Sequence, residues 1–152
     1  MNNCLILDGK EVAQASTKNL LDRVKKLRDY GRAPKLVAIL VGDDPASATY
    51  VNMKERACHA LGIETEIKRL SKETDTNELQ QIISDLNNDK TVDGILLQHP
   101  VPKQIDEIKC FNTICLEKDV DGVTTEGFGN MAMGLSAFGS CTPLGIMRIL
   151  NH

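Results

Sequence analysis

Apolar residues run unbroken from Leu36 to Val41 and again from Ile95 to Leu97, whereas between these runs they recur every third or fourth position. Short continuous runs mark strands buried on both faces, and the three-to-four spacing marks helices with one apolar side. Val12, Leu20, Leu21, Val24 and Leu27 predict an amphipathic helix over 10–30, stopped at Gly31. A strand follows over Lys35–Val41, then a helix from about Pro45 to Leu61, opened by an Asp44 cap with proline at the first helical position and closed by Gly62. Thr65–Leu70 reads as the next strand. Thr76 can cap a helix carrying Leu79, Ile82, Ile83 and Leu86, and Val92–Gln98 reads as a further buried strand. The alternation predicts an α/β fold of three layers, a mostly parallel sheet with helices on both faces. Beyond Pro100-Val101-Pro102 the pattern breaks up. A short helix is expected near 105–115, then Lys118-Asp119-Val120-Asp121-Gly122, then a glycine- and methionine-rich loop from Gly127 to Gly139 that would line a site. Thr142-Pro143 opens an apolar segment that reads as the start of another helix.

The chain of 152 residues, 41% hydrophobic and 26% charged, suits one globular domain with a real core. A net charge of −3, with three Phe, two Tyr and no Trp, supplies neither a basic field nor stacking platforms, so nucleic acid is not an expected partner. No apolar run approaches the roughly 20 residues of a membrane span, and the first eight residues lack the pattern of a signal peptide, so a cytoplasmic protein is expected. Cys4, Cys58, Cys110, Cys115 and Cys141 form an odd set with no C-x-x-C pair, which points to reduced packing thiols. Cys58 and His59 are adjacent and splay about 100° apart on a helix, so no metal site is expected. Met131, Met133 and Met147 read as core filling.

Chemistry concentrates where strands end. Tyr50 and Lys54, four apart, share a helical face just after the first buried strand, and open α/β sheets bind ligands outside the carboxyl ends of their strands. A surface helix with a solvated lysine accounts for the same spacing. Gln98 ends a buried strand before His99-Pro100-Val101-Pro102, where its amide would face the same crevice or simply terminate pairing. Asp121 precedes Gly122 on a tight turn, either to grip a ligand's amine and ring N–H groups or to close an Asx-turn. His99 reads as a wall residue beside prolines rather than an acid–base group. The Tyr-x-x-x-Lys spacing also matches short-chain dehydrogenases, but the turn at Asp8-Gly9-Lys10 has one glycine and Gly127-Phe128-Gly129 lacks the third, so no dinucleotide cradle is evident.

Four ordered segments, Val41-Gly42-Asp43-Asp44-Pro45-Ala46-Ser47-Ala48-Thr49-Tyr50-Val51-Asn52-Met53-Lys54, Gly94-Ile95-Leu96-Leu97-Gln98-His99-Pro100-Val101-Pro102, Lys118-Asp119-Val120-Asp121-Gly122 and Cys141-Thr142-Pro143-Leu144-Gly145-Ile146, resemble the bifunctional methylenetetrahydrofolate dehydrogenase/methenyltetrahydrofolate cyclohydrolase family. The resemblance covers essentially the whole chain. It implies that residues 1–140 are the folate-binding catalytic domain, and that 141–152 begin a linker helix toward a dinucleotide-binding domain outside these 152 residues. Catalysis would rest on Lys54 with Gln98 tuning it, and Tyr50 would stack on the folate's aminobenzoyl ring. Asp121 would grip the pterin, with Leu97 and His99 completing the substrate-binding set. The cofactor implied is NADP, bound mainly by the missing domain. The partners implied are the folate substrate and, for the parent enzyme, a second copy of itself, while this chain alone is expected to self-associate and to turn over no nicotinamide. Where His99 stands the family usually has leucine, and 123–129 departs from its usual His-Pro-containing sequence. A non-catalytic folate-binding or assembly module of the same fold is the alternative, and a short-chain-dehydrogenase-like oxidoreductase ranks behind both.

Overall fold

A computed structural model describes residues 6–151, and Cys4 lies outside them. Helix α1 spans Gly9–Asp29, opened by the Asp8 carboxylate, which accepts the Lys10 N–H at 2.8 Å. Strand β1 is Lys35–Val41, helix α2 Pro45–Leu61 and strand β2 Glu64–Leu70. Both ends of α2 follow local chemistry. Asp44 accepts the Ser47 N–H at 2.7 Å, a bond that holds its carboxyl below the usual range, and Gly62 takes a left-handed φ of 76° that lets the chain cap the last carbonyls.

Helix α3 is Thr76–Asn88, and its cap is Asp75 rather than Thr76. Asp75 has the extended backbone from which a carboxylate reaches the Glu78 N–H, at 2.9 Å, while Thr76 is already helical and its hydroxyl accepts the Asp106 N–H at 2.8 Å. Strand β3 is Gly94–Leu97, shorter than the predicted 92–98 because its pairing with β1 covers only Leu36 to Ile39. Helix α4, Glu107–Phe111, and a 3-10 turn at Leu116–Lys118 replace the single helix expected over 105–115. The predicted loop over 127–139 is largely overturned: α5 is Thr125–Ala132, started by the Thr124 hydroxyl on the Gly127 N–H at 2.9 Å. Helix α6 is Cys141–Leu150.

The described strands form one parallel sheet in the order β2-β1-β3. Side chains alternate across it. Val37, Ile39, Val41, Ile95 and Leu97 pack with Leu79, Ile83, Leu86 and Cys110 on the α3 and α4 side, while Ala38, Leu40 and Leu96 pack with Val51 and Ala48 of α2 on the other. Helices on both faces of a parallel sheet make the three layers that the alternation predicts. Cys110, with burial raising its thiol to about 11, is a packing thiol.

At the amino ends of the strands, Arg32 forks onto Asp93 at 2.6 and 2.7 Å, and Asp93 also accepts the Lys35 N–H at 2.8 Å. The Arg32 bond lowers the Asp93 carboxyl from its ordinary 3.8, so the stability it contributes is present above that value and lost as pH falls through the lower folded one. Asp93→Asn is therefore expected to destabilise at neutral pH and to converge with the wild type in urea melts taken progressively below pH 3.8. A constant difference down to the most acid point would contradict this. The pair is half exposed, so the difference will be small.

Among the described residues no helix is long and apolar enough to cross a membrane, and no group of three His, Cys, Asp or Glu side chains is placed to hold a metal ion.

Candidate active site

At the carboxyl ends of β1 and β3, beside α2, two side chains meet. Lys54, on α2, donates from Nζ to Oε1 of Gln98, the residue after β3, at 3.3 Å. Gln98 is held at its backbone by donating to the Ile39 carbonyl at 2.9 Å, and its Nε2 donates to the His99 carbonyl at 2.6 Å. With Nε2 so committed, the amide oxygen is the atom turned to Lys54. Tyr50 lies one turn before Lys54 on α2 and is 60% exposed, leaving its ring face available.

Asp121 arrives from a different part of the fold. Asp119 pairs with Ile95 as a parallel bridge, and Val120 packs so closely on Gly94 that a Cβ there would stand 2.8 Å from Val120 Cγ1. The chain thus runs along β3 and carries Asp121 toward the same carboxyl end. Lys118 anchors the approach, its ammonium donating to the carbonyls of Leu86, Asn87 and Asp89 at 2.8, 2.8 and 2.7 Å. The Asx-type closure belongs to Asp119, whose buried carboxylate accepts the N–H groups of Val123 and Thr124 at 3.1 and 3.0 Å. That leaves the Asp121 carboxylate free of the turn's own bonding.

Gly122 turns the chain at φ 64°, where a Cβ would stand 2.6 Å from the Ser140 nitrogen. Ser140 Oγ donates to the Gly122 carbonyl at 2.8 Å, and Cys141 Sγ meets the Val120 carbonyl at 3.5 Å, so the start of α6 is stitched to the Asp121 turn. Cys141 is exposed as a residue, yet partial burial of its thiol, a hydrogen bond to Asp121 and that carboxylate's charge raise its pKa, with the positive charges of Lys54 and Arg148 opposing. Lys54, Gln98, Asp121 and Cys141 therefore share one electrostatic neighbourhood.

The remaining candidates fall less directly. Leu97 is buried on the α3 side of the sheet, so its side chain belongs to the core and not to the Lys54–Gln98 site. His99 has an exposed ring, and its Nδ1 pairs with Glu107 Oε1 at 2.7 Å. Met131, Met133 and Met147 are exposed at 37, 77 and 51%, not core filling, because α5 and α6 turn their apolar sides away from the sheet's core clusters. From the sequence, Asp119 and Cys141 had no role at the site and Glu107 did not stand out. Asp119 carried a signal, a carboxylate four and five residues before N–H groups at a helix start, whereas Glu107 and Cys141 carried none that periodicity detects.

A concavity of about 450 Å³, lined by Leu27, Tyr30, Arg32, Pro34 and Asp93, lies away from this site, at the amino ends of the strands. Its charged groups already neutralise each other as the Arg32–Asp93 pair.

A parallel three-layer α/β domain with a lysine and an amide converging outside its strands' carboxyl ends belongs to the class of sheet-edge, small-molecule-binding folds. Residues 7–121 match the family described as tetrahydrofolate dehydrogenase/cyclohydrolase, catalytic domain, and the chain belongs to that family. It is 53% identical over 152 residues to the Bifunctional protein FolD of Acidobacterium capsulatum, covering 99% of this chain and 54% of that protein. It is 56% identical over 149 residues to the FolD of Alcanivorax borkumensis, covering 97% and 53%. Among solved structures, the Campylobacter jejuni FolD methylenetetrahydrofolate dehydrogenase/cyclohydrolase superposes with a TM-score of 0.94 at 39% identity, over 97% of this chain and 52% of that one. The Trypanosoma brucei enzyme, solved with NADP and an inhibitor, gives 0.90 at 29%, over 99% and 52%. The chain thus spans about half the length of the curated relatives it matches.

Proposed function

We propose that this chain is the folate-binding catalytic half of a one-carbon enzyme that oxidises 5,10-methylenetetrahydrofolate with NADP and hydrolyses the resulting 5,10-methenyltetrahydrofolate to 10-formyltetrahydrofolate. The observation that carries the reading is the Lys54–Gln98 contact at the strands' carboxyl ends. Tyr50 lies along the aminobenzoyl ring and Asp121 holds the pterin's N–H groups, with Leu97 and His99 contributing from the end of β3. In hydrolysis, water adds to the cationic methenyl carbon and gives up a proton, and the bond from that carbon to N5 then breaks as N5 is protonated. The net products are 10-formyltetrahydrofolate and one proton. Lys54 relays the proton, and Gln98 fixes its direction.

NADP belongs to the other half of the relatives. Among the described residues no glycine-rich strand-to-helix turn is present: Gly127-Phe128-Gly129 lies inside α5, and Gly9 opens α1 behind a single Asp8 cap. These residues do not fit the dinucleotide's phosphates, and residues 6–151 alone are expected to turn over no nicotinamide. The reading is tested by the absorbance decay of methenyltetrahydrofolate with the purified protein beside Lys54→Ala, corrected for spontaneous hydrolysis. Equal rates would refute it.

The cytoplasm is the proposed location, a homodimer the proposed state of the whole enzyme, and residues 1–140 the proposed catalytic domain, with 141–152 leading to the nicotinamide-binding half. Leu144, Ile146, Met147 and Leu150 of α6 are all about half exposed, an apolar face that supports self-association of these 152 residues. Sedimentation velocity over a hundredfold concentration range is expected to show a rising weight-average mass, and a constant monomer would contradict it.

A further inference from the structure

Among the described residues Lys54 donates one side-chain hydrogen bond, to an amide whose own orientation depends on its surroundings. Gln98 presents its oxygen because Nε2 is taken by the His99 carbonyl at 2.6 Å, and that carbonyl sits in the turn formed by His99, Pro100 and Val101. One carboxylate oxygen grips the turn at two points: Oε1 of Glu107 pairs with His99 Nδ1 at 2.7 Å and accepts the Val101 N–H at 3.3 Å. Glu107 is itself on a fixed base. It is the first residue of α4, whose start is capped by Asp106 and tied to α3 through the Thr76 hydroxyl, and whose Cys110 is fully buried in the core.

We propose that Glu107 is a positioning residue for Lys54, acting through the 99–101 turn and the Gln98 amide; this rests on the folate reading above. The chain of contacts is continuous from Glu107 to His99, to Gln98, to Lys54. Removing the carboxylate frees the imidazole and the Val101 N–H together, so the His99 carbonyl is no longer constrained and the amide can rotate its nitrogen toward Lys54. An amide N–H facing an ammonium or amine N–H is repulsive, and the lysine leaves its productive direction.

Two readouts test this in the purified protein. In the first, methenyltetrahydrofolate hydrolysis is measured for wild type, Lys54→Ala, Glu107→Ala and Glu107→Gln. Glu107→Ala is expected to lower kcat about tenfold with KM within about twofold, because substrate contacts remain and only the direction of the lysine is lost. Glu107→Gln keeps an acceptor oxygen for both donors and is expected to restore most of the rate. In the second, lysines are reductively methylated with a ¹³C label, and the Lys54 signal, assigned by its loss in Lys54→Ala, is followed by NMR. It is expected to move in Glu107→Ala and Gln98→Ala and to hold its place in Glu107→Gln. If wild type and Lys54→Ala hydrolyse at the same rate, the folate reading fails but the NMR still decides the relay. An unmoved Lys54 signal in Glu107→Ala, or a kcat loss that Glu107→Gln fails to recover, overturns the proposal. Should Glu107→Ala not fold, His99→Ala, which removes an exposed ring and half of the grip, is expected to move the Lys54 signal in the same direction and by less, and its failure to do so overturns the proposal equally.

Discussion

Lys54→Ala is expected to lower the rate of methenyltetrahydrofolate hydrolysis by on the order of 10²–10⁴, the range typical of losing a positioned acid–base group. KM should change far less, because the proposed substrate contacts at Tyr50 and Asp121 remain in the variant. Stability should be nearly unchanged, since Lys54 is only partly buried and its one hydrogen bond, to Gln98, is long at 3.3 Å. Gln98→Ala leaves the amine in place and removes only its guide, so a smaller loss, confined to kcat, is expected. Stopped-flow absorbance under saturating substrate separates the two variants. An unchanged kcat for Lys54→Ala would remove the lysine from the chemistry and would favour a binding module of the same fold.

Asp119→Ala is expected to be strongly destabilising. Its carboxylate is 1% exposed and accepts the Val123 and Thr124 N–H groups, the second of them buried. Alanine leaves both donors without partners, at about 1–3 kcal/mol each, a large share of the roughly 5–15 kcal/mol that stabilises an ordinary domain. The urea midpoint should fall by on the order of 1–2 M. Asp119→Asn keeps one acceptor oxygen and should fall between. The damage should also reach the site: Asp119 holds the start of α5 and sets the turn that presents Asp121, so folate affinity should weaken in parallel with stability. A midpoint within about 0.3 M of wild type would show that water satisfies those N–H groups instead.

The fold was legible wherever burial imposes a pattern. β1 is buried on both faces and reads as one apolar run, and α2 carries its start and stop as Asp44, Pro45 and Gly62. Legibility failed where neighbouring residues offered the same chemistry, as at Asp75 and Thr76, either of which can cap α3. It failed more completely at α5, whose glycines and methionines read as a loop. That helix exists because Thr124, itself fixed by Asp119, caps it, and because Gly127 has to be bare: a Cβ there would stand 3.0 Å from the Asp119 carboxylate. Of the candidate site, Tyr50 and Lys54 stood out by their four-residue spacing on α2, Gln98 by its place just after a buried strand, and Asp121 by the glycine that follows it. Glu107 did not, because its partners His99 and Val101 are reached only when the chain turns back on itself.

The sequence by itself determined the alternation of strands and helices, the positions of the polar residues at the strands' ends, and the family to which those motifs belong. Only the tertiary structure decided which of those residues meet. Parallel strands are joined by crossover helices, so neighbours in the sheet are distant in the chain, and Lys54 finds Gln98 across 44 residues only once β1, β3 and α2 have docked. The same docking turned Leu97 into the core, and the contacts of Ser140 and Cys141 with the Gly122 and Val120 carbonyls brought the start of α6 against the Asp121 turn. Local propensity acts over a few residues, whereas these contacts are set by sheet register and helix packing, which no single segment specifies.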